Sequence, residues 1–417
     1  MSKLEELIKE FCPNGVEYKP LWSLTAWDKR FNGIDRSMQK KVVSYKYYLS
    51  SEFNEVERKD GDILYIPTGI TNEKRYTTEE LAGEYLAEGE IVCIPWGGTP
   101  NVKYHKGKFV TGDNRIATSL DTNILDNKYL YYWMQSKIDL IASFYRGAGI
   151  QHPSMKSVLE LQIPLPALPV QREIVRILDS FTLYSAELTA ELTAELTARR
   201  KQYEFYRDKL LGIEQLKIQW KKLGNIYDVR DGTHDSPKPQ TIGHFLVTSK
   251  NIKDGKVNFD GCYFISDEDY ESINKRSRVD INDLLFTMIG TIGEIALVET
   301  EPNYAVKNVA IIKTKSYLIS KFLYYFLQSN TAKKYIENNK SKGSQSFISL
   351  GNLRDMSIPV PPIEVQERIV KVLDNFDAIC SDLGIGLPAE IEKRQKQYEY
   401  YRDKLLTFEG KNNNGEK

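Results

Sequence analysis

Apolar residues recur at Ile174, Ile177, Phe181, Tyr184, Leu188, Leu192, Leu196, Tyr203, Tyr206 and Leu210. The steps are mostly three, four or seven, which is one face of a helix. Pro169 can start that helix, because its missing N–H is not needed at the first helical position. Roughly 43 residues at about 1.5 Å each would make a rod about 64 Å long, too long for one core, so the stripe needs a partner helix. The chain supplies one: Ile369, Val372, Phe376, Ile379, Leu383, Leu387, Ile391, Tyr398, Tyr401 and Leu405 repeat the pattern. Residues 168–211 and 363–406 are two copies of one stretch. Gln171 answers to Gln366 (366 − 171 = 195), and Arg207-Asp208-Lys209-Leu210-Leu211 to Arg402-Asp403-Lys404-Leu405-Leu406. Identity reaches polar positions such as Asp208 and Lys209, which packing alone does not require. The chain therefore reads as a duplicated unit.

The copies differ in one place. The first continues through Ala186-Glu187-Leu188 into two Thr-Ala-Glu-Leu runs ending at Leu192 and Leu196, all good helix formers. The second has Gly384, Gly386 and Pro388 there, so its helix is expected to break near Leu387 and restart at Pro388. The tandem runs read as a spacer of adjustable length. Each added unit lengthens a helix by about 6 Å, the order of two base-pair steps of DNA at about 3.4 Å each.

The segments before each copy follow one plan. In the first, Asp62–Ile66, Glu90–Ile94 and Arg115–Thr118 are predicted strands, and Tyr129–Ser136 a helix. Between the second and third strands, residues 95–108 form a loop or hairpin rich in glycine, aromatics and cations. In the second, Asp283–Gly293 echoes Glu90–Pro100, and Phe322–Ser329 echoes Tyr129–Ser136. Each segment ends in a glycine-rich stretch, then Ile163-Pro164-Leu165-Pro166 or Ile358-Pro359-Val360-Pro361. Such proline-spaced segments are extended and serve as hinges into the long helices.

Composition narrows the class. At 417 residues the chain has room for two or more domains. It lacks an apolar run of membrane-spanning length, and its start does not resemble a signal peptide, which predicts a cytoplasmic protein with no membrane partner. The four cysteines are scattered, fitting a reducing compartment and no zinc knuckle. Lysine plus arginine equals aspartate plus glutamate at 57 each, which argues against a protein that coats nucleic acid without preference. Gly290-Thr291-Ile292-Gly293 lacks the lysine and serine or threonine of an ATP loop and reads as a tight turn. The four histidines show no metal-ligand spacing. Tyr203 and Tyr398 read as helix-packing anchors.

With these residues in view, the chain resembles the specificity subunit of type I restriction-modification systems. The resemblance covers essentially the whole chain. Its most specific carriers are Ile163-Pro164-Leu165-Pro166 leading to Gln171-Arg172-Glu173-Ile174-Val175, the Thr-Ala-Glu-Leu runs, Arg394 to Leu406, and Asp231-Gly232-Thr233-His234-Asp235-Ser236-Pro237. The fold class it implies is α+β. Two similar mixed α/β target-recognition domains are joined and separated by two long helices, packed as an antiparallel coiled coil with pseudo-twofold symmetry. The expected boundaries are a first recognition domain at 1–150, first helix and spacer at 151–212, second recognition domain at 213–345, second helix at 346–410 and a disordered tail at 411–417. The resemblance implies no catalysis and no cofactor on this chain. It implies a double-stranded DNA target in two halves, two modification subunits, and motor-nuclease subunits. S-adenosylmethionine, ATP and magnesium would be used by those other subunits. The Thr-Ala-Glu-Leu runs point to the subgroup in which their number sets target spacing.

Base readout calls for arginine or lysine on guanine, asparagine or glutamine on adenine, and threonine or apolar groups near the thymine methyl. On that basis the DNA-binding candidates in the first segment are Trp96, Thr99, Asn101, Lys103, Tyr104, His105, Lys108 and Arg115. In the second they are Thr233, His234, Lys238, Lys250, Asn251, Lys275, Arg276, Arg278, Thr291 and Lys307. A solvated basic loop is the competing reading for any one of them. Two other functions compete for the whole chain. A stand-alone methyltransferase or nuclease is disfavoured, since there is no Asn-Pro-Pro-Tyr or Asp-Pro-Pro-Tyr run and no glycine-rich cofactor loop after a strand. A sequence-specific repressor would leave the long helices binding only each other.

Overall fold

The computed structural model describes residues 2–71, 73–212, 218–341, 346–381 and 386–410. The expected disordered tail at 411–417 lies outside them. So do Leu383 and Gly384 of the second copy, and most of the glycine-rich stretch at 342–345. The chain forms two compact units, Met1–Ala190 with Glu392–Lys417, and Glu191–Ile391.

The first unit is built on a seven-stranded sheet. Across it run Val42–Val43, Thr25–Asp28, Asn114–Ser119, Ala87–Pro95, Lys103–Thr111, Ile63–Ile66 and Arg75–Thr77. Ile63–Ile66 is parallel to Lys103–Thr111; the central pairs are antiparallel. Side chains alternate across a strand. Val92 and Ile94 accordingly meet Tyr129, Leu130 and Trp133 of the helix Asn127–Ser136, while Ile91 and Cys93 join Ile66, Phe109 and Ile116 on the other face. That helix starts at Asp126, whose carboxylate accepts from the backbone N–H groups of Lys128 (2.8 Å) and Tyr129 (3.0 Å). Val170, Ile174 and Leu178 of the long helix complete the same core.

The second unit repeats this order. Asp228–Asp231, Val309–Lys313, Leu284–Thr287 and Ile295–Leu297 form one sheet; Phe264–Ile265, His244–Val247 and Tyr304–Val306 form another. The strand that is continuous at Lys103–Thr111 corresponds to two strands here. Ile295–Leu297 keeps the antiparallel pairing with Leu284–Thr287, and Tyr304–Val306 keeps the parallel pairing with His244–Val247. One topology thus serves both units. Leu284, Phe286 and Ile312 face the helix Tyr317–Leu327 together with Ile369, Val370 and Leu373.

The first copy is one uninterrupted 45-residue helix, Leu168–Gly212. The second is two helices, Ile363–Ser381 and Leu387–Leu405, the restart falling at the expected Leu387-Pro388 step. The proline-spaced segments are edge strands: Glu17–Pro20 pairs with Gln162–Leu165, and Gln219–Lys222 with Ser357–Val360. In the first unit Phe181 meets Tyr401 at 6.3 Å and the Thr182 hydroxyl lies 3.0 Å from that of Tyr398, so the helices run antiparallel. In the second unit Tyr206 stacks on Phe376 at 5.6 Å. These are the same pair with the copies exchanged. Each unit therefore takes one helix segment from each copy, out of phase with the sequence repeat.

Candidate nucleic-acid interface

In the first unit the hairpin of Ala87–Pro95 and Lys103–Thr111 carries seven of the eight candidates, Arg115 lying on the strand Asn114–Ser119, and structure divides them by what their polar atoms do. Arg115 is buried, its side chain 7% exposed. Its guanidinium lies 2.9 Å from Asp113 and 3.9 Å from Asp28, and its plane sits 4.1 Å from the Trp96 ring centre. Trp96 also faces the His152 ring at 5.0 Å. Burial pushes the Asp28 carboxyl up to about 6, against the pull of the Ile116 N–H and Arg115. The Lys103 ammonium donates to the carbonyls of Pro67, Thr68 (3.1 Å) and Gly69 (2.8 Å), and burial lowers its pKa. The Asn101 amide donates to the carbonyls of Thr68 and Thr99, both at 2.9 Å. Lys103 and Asn101 therefore hold the 67–69 loop against the hairpin. Tyr104 turns inward and donates to Glu90 at 2.6 Å. His105 contacts the Lys108 carbonyl at 3.0 Å, and Lys108 pairs with Glu79 at 2.7 Å on the surface. Thr99 is exposed at the loop tip.

In the second unit, Thr233, His234, Arg276 and Lys307 come together. Thr233 is buried; its backbone N–H donates to Val306 at 3.0 Å and its hydroxyl accepts from the Asp235 N–H at 3.1 Å. His234 is exposed, with its ring nitrogens 2.9 Å from Asp231 Oδ2 and 2.7 Å from Asn308 Oδ1. The Asn308 contact first, then Asp231, raises its pKa. The Lys307 ammonium donates to the Ser236 hydroxyl, and Arg276 to the Gly232 carbonyl at 3.3 Å. Asn251 is buried and caps its own turn, accepting from the Thr248 N–H at 3.0 Å and donating to the Asp260 carbonyl at 3.2 Å. Lys250 is exposed on that turn, and the neighbouring Ser249 hydroxyl reaches the Asn308 carbonyl at 3.4 Å. Lys238 and Lys275 are exposed and have no ion pair among the described residues. Arg278 pairs with Asp280 at 3.2 Å. Thr291 lies apart, in the turn where Gly290 and Gly293 take φ of 78° and 94°, the tight turn expected from the sequence.

Sequence reasoning passed over Lys29, Asp113 and Asn308. Lys29 and Asn308 both adopt positive φ, at 63° and 55°, next to the clusters described. An asparagine between two apolar strands is the one visible signal for such a turn. Among the described residues no group of three histidine, cysteine, aspartate or glutamate side chains could hold a metal ion, and no helix is long and apolar enough to cross a membrane.

Known proteins match this architecture. The type I restriction modification DNA specificity domain matches residues 43–198 and again 220–393. The specificity subunit of an Escherichia coli type I restriction enzyme is 36% identical over 370 residues, 85% of this chain and 90% of that one. A putative type I restriction enzyme specificity subunit of Haemophilus influenzae is 31% identical, covering 78% of this chain and 84% of that protein. A structure solved in work on assembly and conformational transition of the type I restriction-modification system shares the fold, with a TM-score of 0.59 at 16% identity over 82% of this chain and 91% of that one. With its domain match repeated once in each half, the chain belongs to the type I restriction-modification DNA specificity family, as a non-catalytic specificity subunit.

Proposed function

We propose that each unit's recognition domain reads one half of a two-part DNA target, and that the paired helices carry two modification subunits, to which motor-nuclease subunits add. S-adenosylmethionine, ATP and magnesium are used by those subunits in the cytoplasm, and this chain supplies address alone. The observation that carries the reading is one strand order present twice with different loops on it. A duplicated reader suits two half-sites on a duplex. Within the loops, exposed Thr99, His234, Lys238, Lys250 and Lys275 are the foremost base and phosphate contacts. Arg115, Lys103, Tyr104, Thr233 and Asn251 act by shaping the loops that carry those contacts. The remaining candidates, Trp96, Asn101, His105, Lys108, Arg276, Arg278 and Lys307, hold secondary places on the same faces, and Thr291 one on its separate turn.

The test is to map modified bases in cells carrying the system, before and after exchanging residues 1–150 for those of a relative. One half-site should change and the other stay. A change in both would overturn the assignment of one reader to one half. Deleting one Thr-Ala-Glu-Leu unit should alter the gap and leave both half-sites as they were.

A further inference from the structure

The two copies solve one packing problem twice, so what they keep while their loops diverge is informative. One polar arrangement joining a recognition domain to its long helix recurs in both units. Lys128 and Tyr132 lie one turn apart on the helix Asn127–Ser136. The Tyr132 hydroxyl donates to Asp179 Oδ1 at 2.7 Å and the Lys128 ammonium to Oδ2 at 2.8 Å. In the second unit Lys321 and Tyr325 lie one turn apart on Tyr317–Leu327, and both reach Asp374, at 3.4 Å and 2.5 Å. Asp179 and Asp374 occupy the same position in the two helix copies.

The chemistry is directional. Both tyrosine rings are buried, so the apolar contact between recognition domain and helix would survive without the hydroxyls. Apolar contact is roughly proportional to area and tolerates sliding and rotation. A hydroxyl and an ammonium converging on one carboxylate do not, because hydrogen bonds weaken steeply off axis. Burial and the adjoining carboxylate keep both hydroxyls protonated, and so able to donate, far above the ordinary tyrosine range.

We propose that this lysine-tyrosine-aspartate latch is the positioning device that sets the angle at which each recognition domain presents its loops from its helix pair. Through that angle it restricts the gap length the target tolerates, a consequence that rests on the two-part reading proposed above. The latch is not a reader: it touches no base and should leave the half-site sequences alone.

The experiment uses the full chain in its assembled complex, with Tyr132→Phe and Tyr325→Phe made separately. Each removes an oxygen and keeps the ring. Modified sites mapped in cells should keep both half-sites. Modification of targets one base pair longer or shorter in the gap should rise about fivefold, the size expected for one net hydrogen bond. Hydrogen exchange on the free chain gives a readout that needs no DNA: Tyr132→Phe should speed exchange in 127–136 and leave 317–327 unchanged, and Tyr325→Phe should do the reverse. Should Tyr132→Phe lower the melting temperature so far that modification stops, Asp179→Asn, at a half-exposed position, decides instead. Exchange and gap distribution both unchanged in a well-folded variant would overturn the latch. An intact chain with no two-part target, alongside altered exchange in the variants, would overturn the DNA reading and leave the latch standing.

Discussion

The two recognition domains hold their candidate loops by opposite means. The first buries its cation: Arg115 is enclosed between Asp28, Asp113 and the Trp96 ring. The second leaves its ring in solvent: the His234 side chain is 65% exposed, tied by both nitrogens to Asp231 and Asn308. The frame beneath is the same strand order. A frame can be inherited while the means of fixing a loop is replaced, because strand pairing is set by the backbone and loop closure by a few side chains.

The contrast is broken most forcefully at Arg115. Arg115→Ala would leave Asp28 buried without its cation, and removal of one partner from a buried pair costs about 3 kcal/mol. Urea unfolding should show this loss in the first unit. The loss should be larger at pH 8 than at pH 5. The Asp28 carboxyl is raised to about 6 in the fold, so protonation below that value relieves the stranded charge. An equal loss at both values would contradict the account.

A sharper test compares identical residues in unequal settings. Gln171 donates to the carbonyls of Ile124 and Pro166, both at 2.8 Å, and accepts from the Asp126 N–H at 2.9 Å. Gln366 donates to the Pro361 carbonyl at 2.9 Å, and its buried Oε1 has no partner among the described residues. Gln171→Ala should therefore destabilise by about 2 kcal/mol and Gln366→Ala by about 1 kcal/mol or less. Equal costs in thermal melts would show that the network at Asp126 contributes nothing.

His234 gives a smaller, pH-bound effect. Its pKa is raised in the fold, so its contribution is complete below the ordinary value near 6.5 and fades as pH rises through the higher folded value. Loop protection at 231–238, measured by hydrogen exchange, should fall between neutral and alkaline pH, and His234→Ala should abolish that dependence. Smallest of all is Lys108→Ala. Its pair with Glu79 is exposed on both sides, and such solvent-screened pairs contribute little to stability. A drop in melting temperature beyond measurement error would mean that Lys108 does more than pair.

The frame was legible because periodicity reports on it. Strands at 63–66, 87–95 and 114–119 and the helix at 127–136 fall where alternating or helical patterns place them. The duplication made the second unit readable from the first. Loop chemistry was less legible. Lys103 and Arg115 look in the sequence like any cation beside glycines and aromatics. Only in the fold does one ammonium meet three carbonyls and one guanidinium lie between two carboxylates. The exchange of helix segments between the units was equally hidden, since a repeat in sequence does not say which copy each stripe packs against.

That exchange orders events during synthesis. The second unit is one continuous segment, Glu191–Ile391, and every residue of its helix pair has been made by the time translation passes its end. The first unit, although encoded first, holds its N-terminal domain against Glu392 and beyond. Its Phe181 stays without Tyr401 until the final turns of helix leave the ribosome. The domain translated first is the last to close.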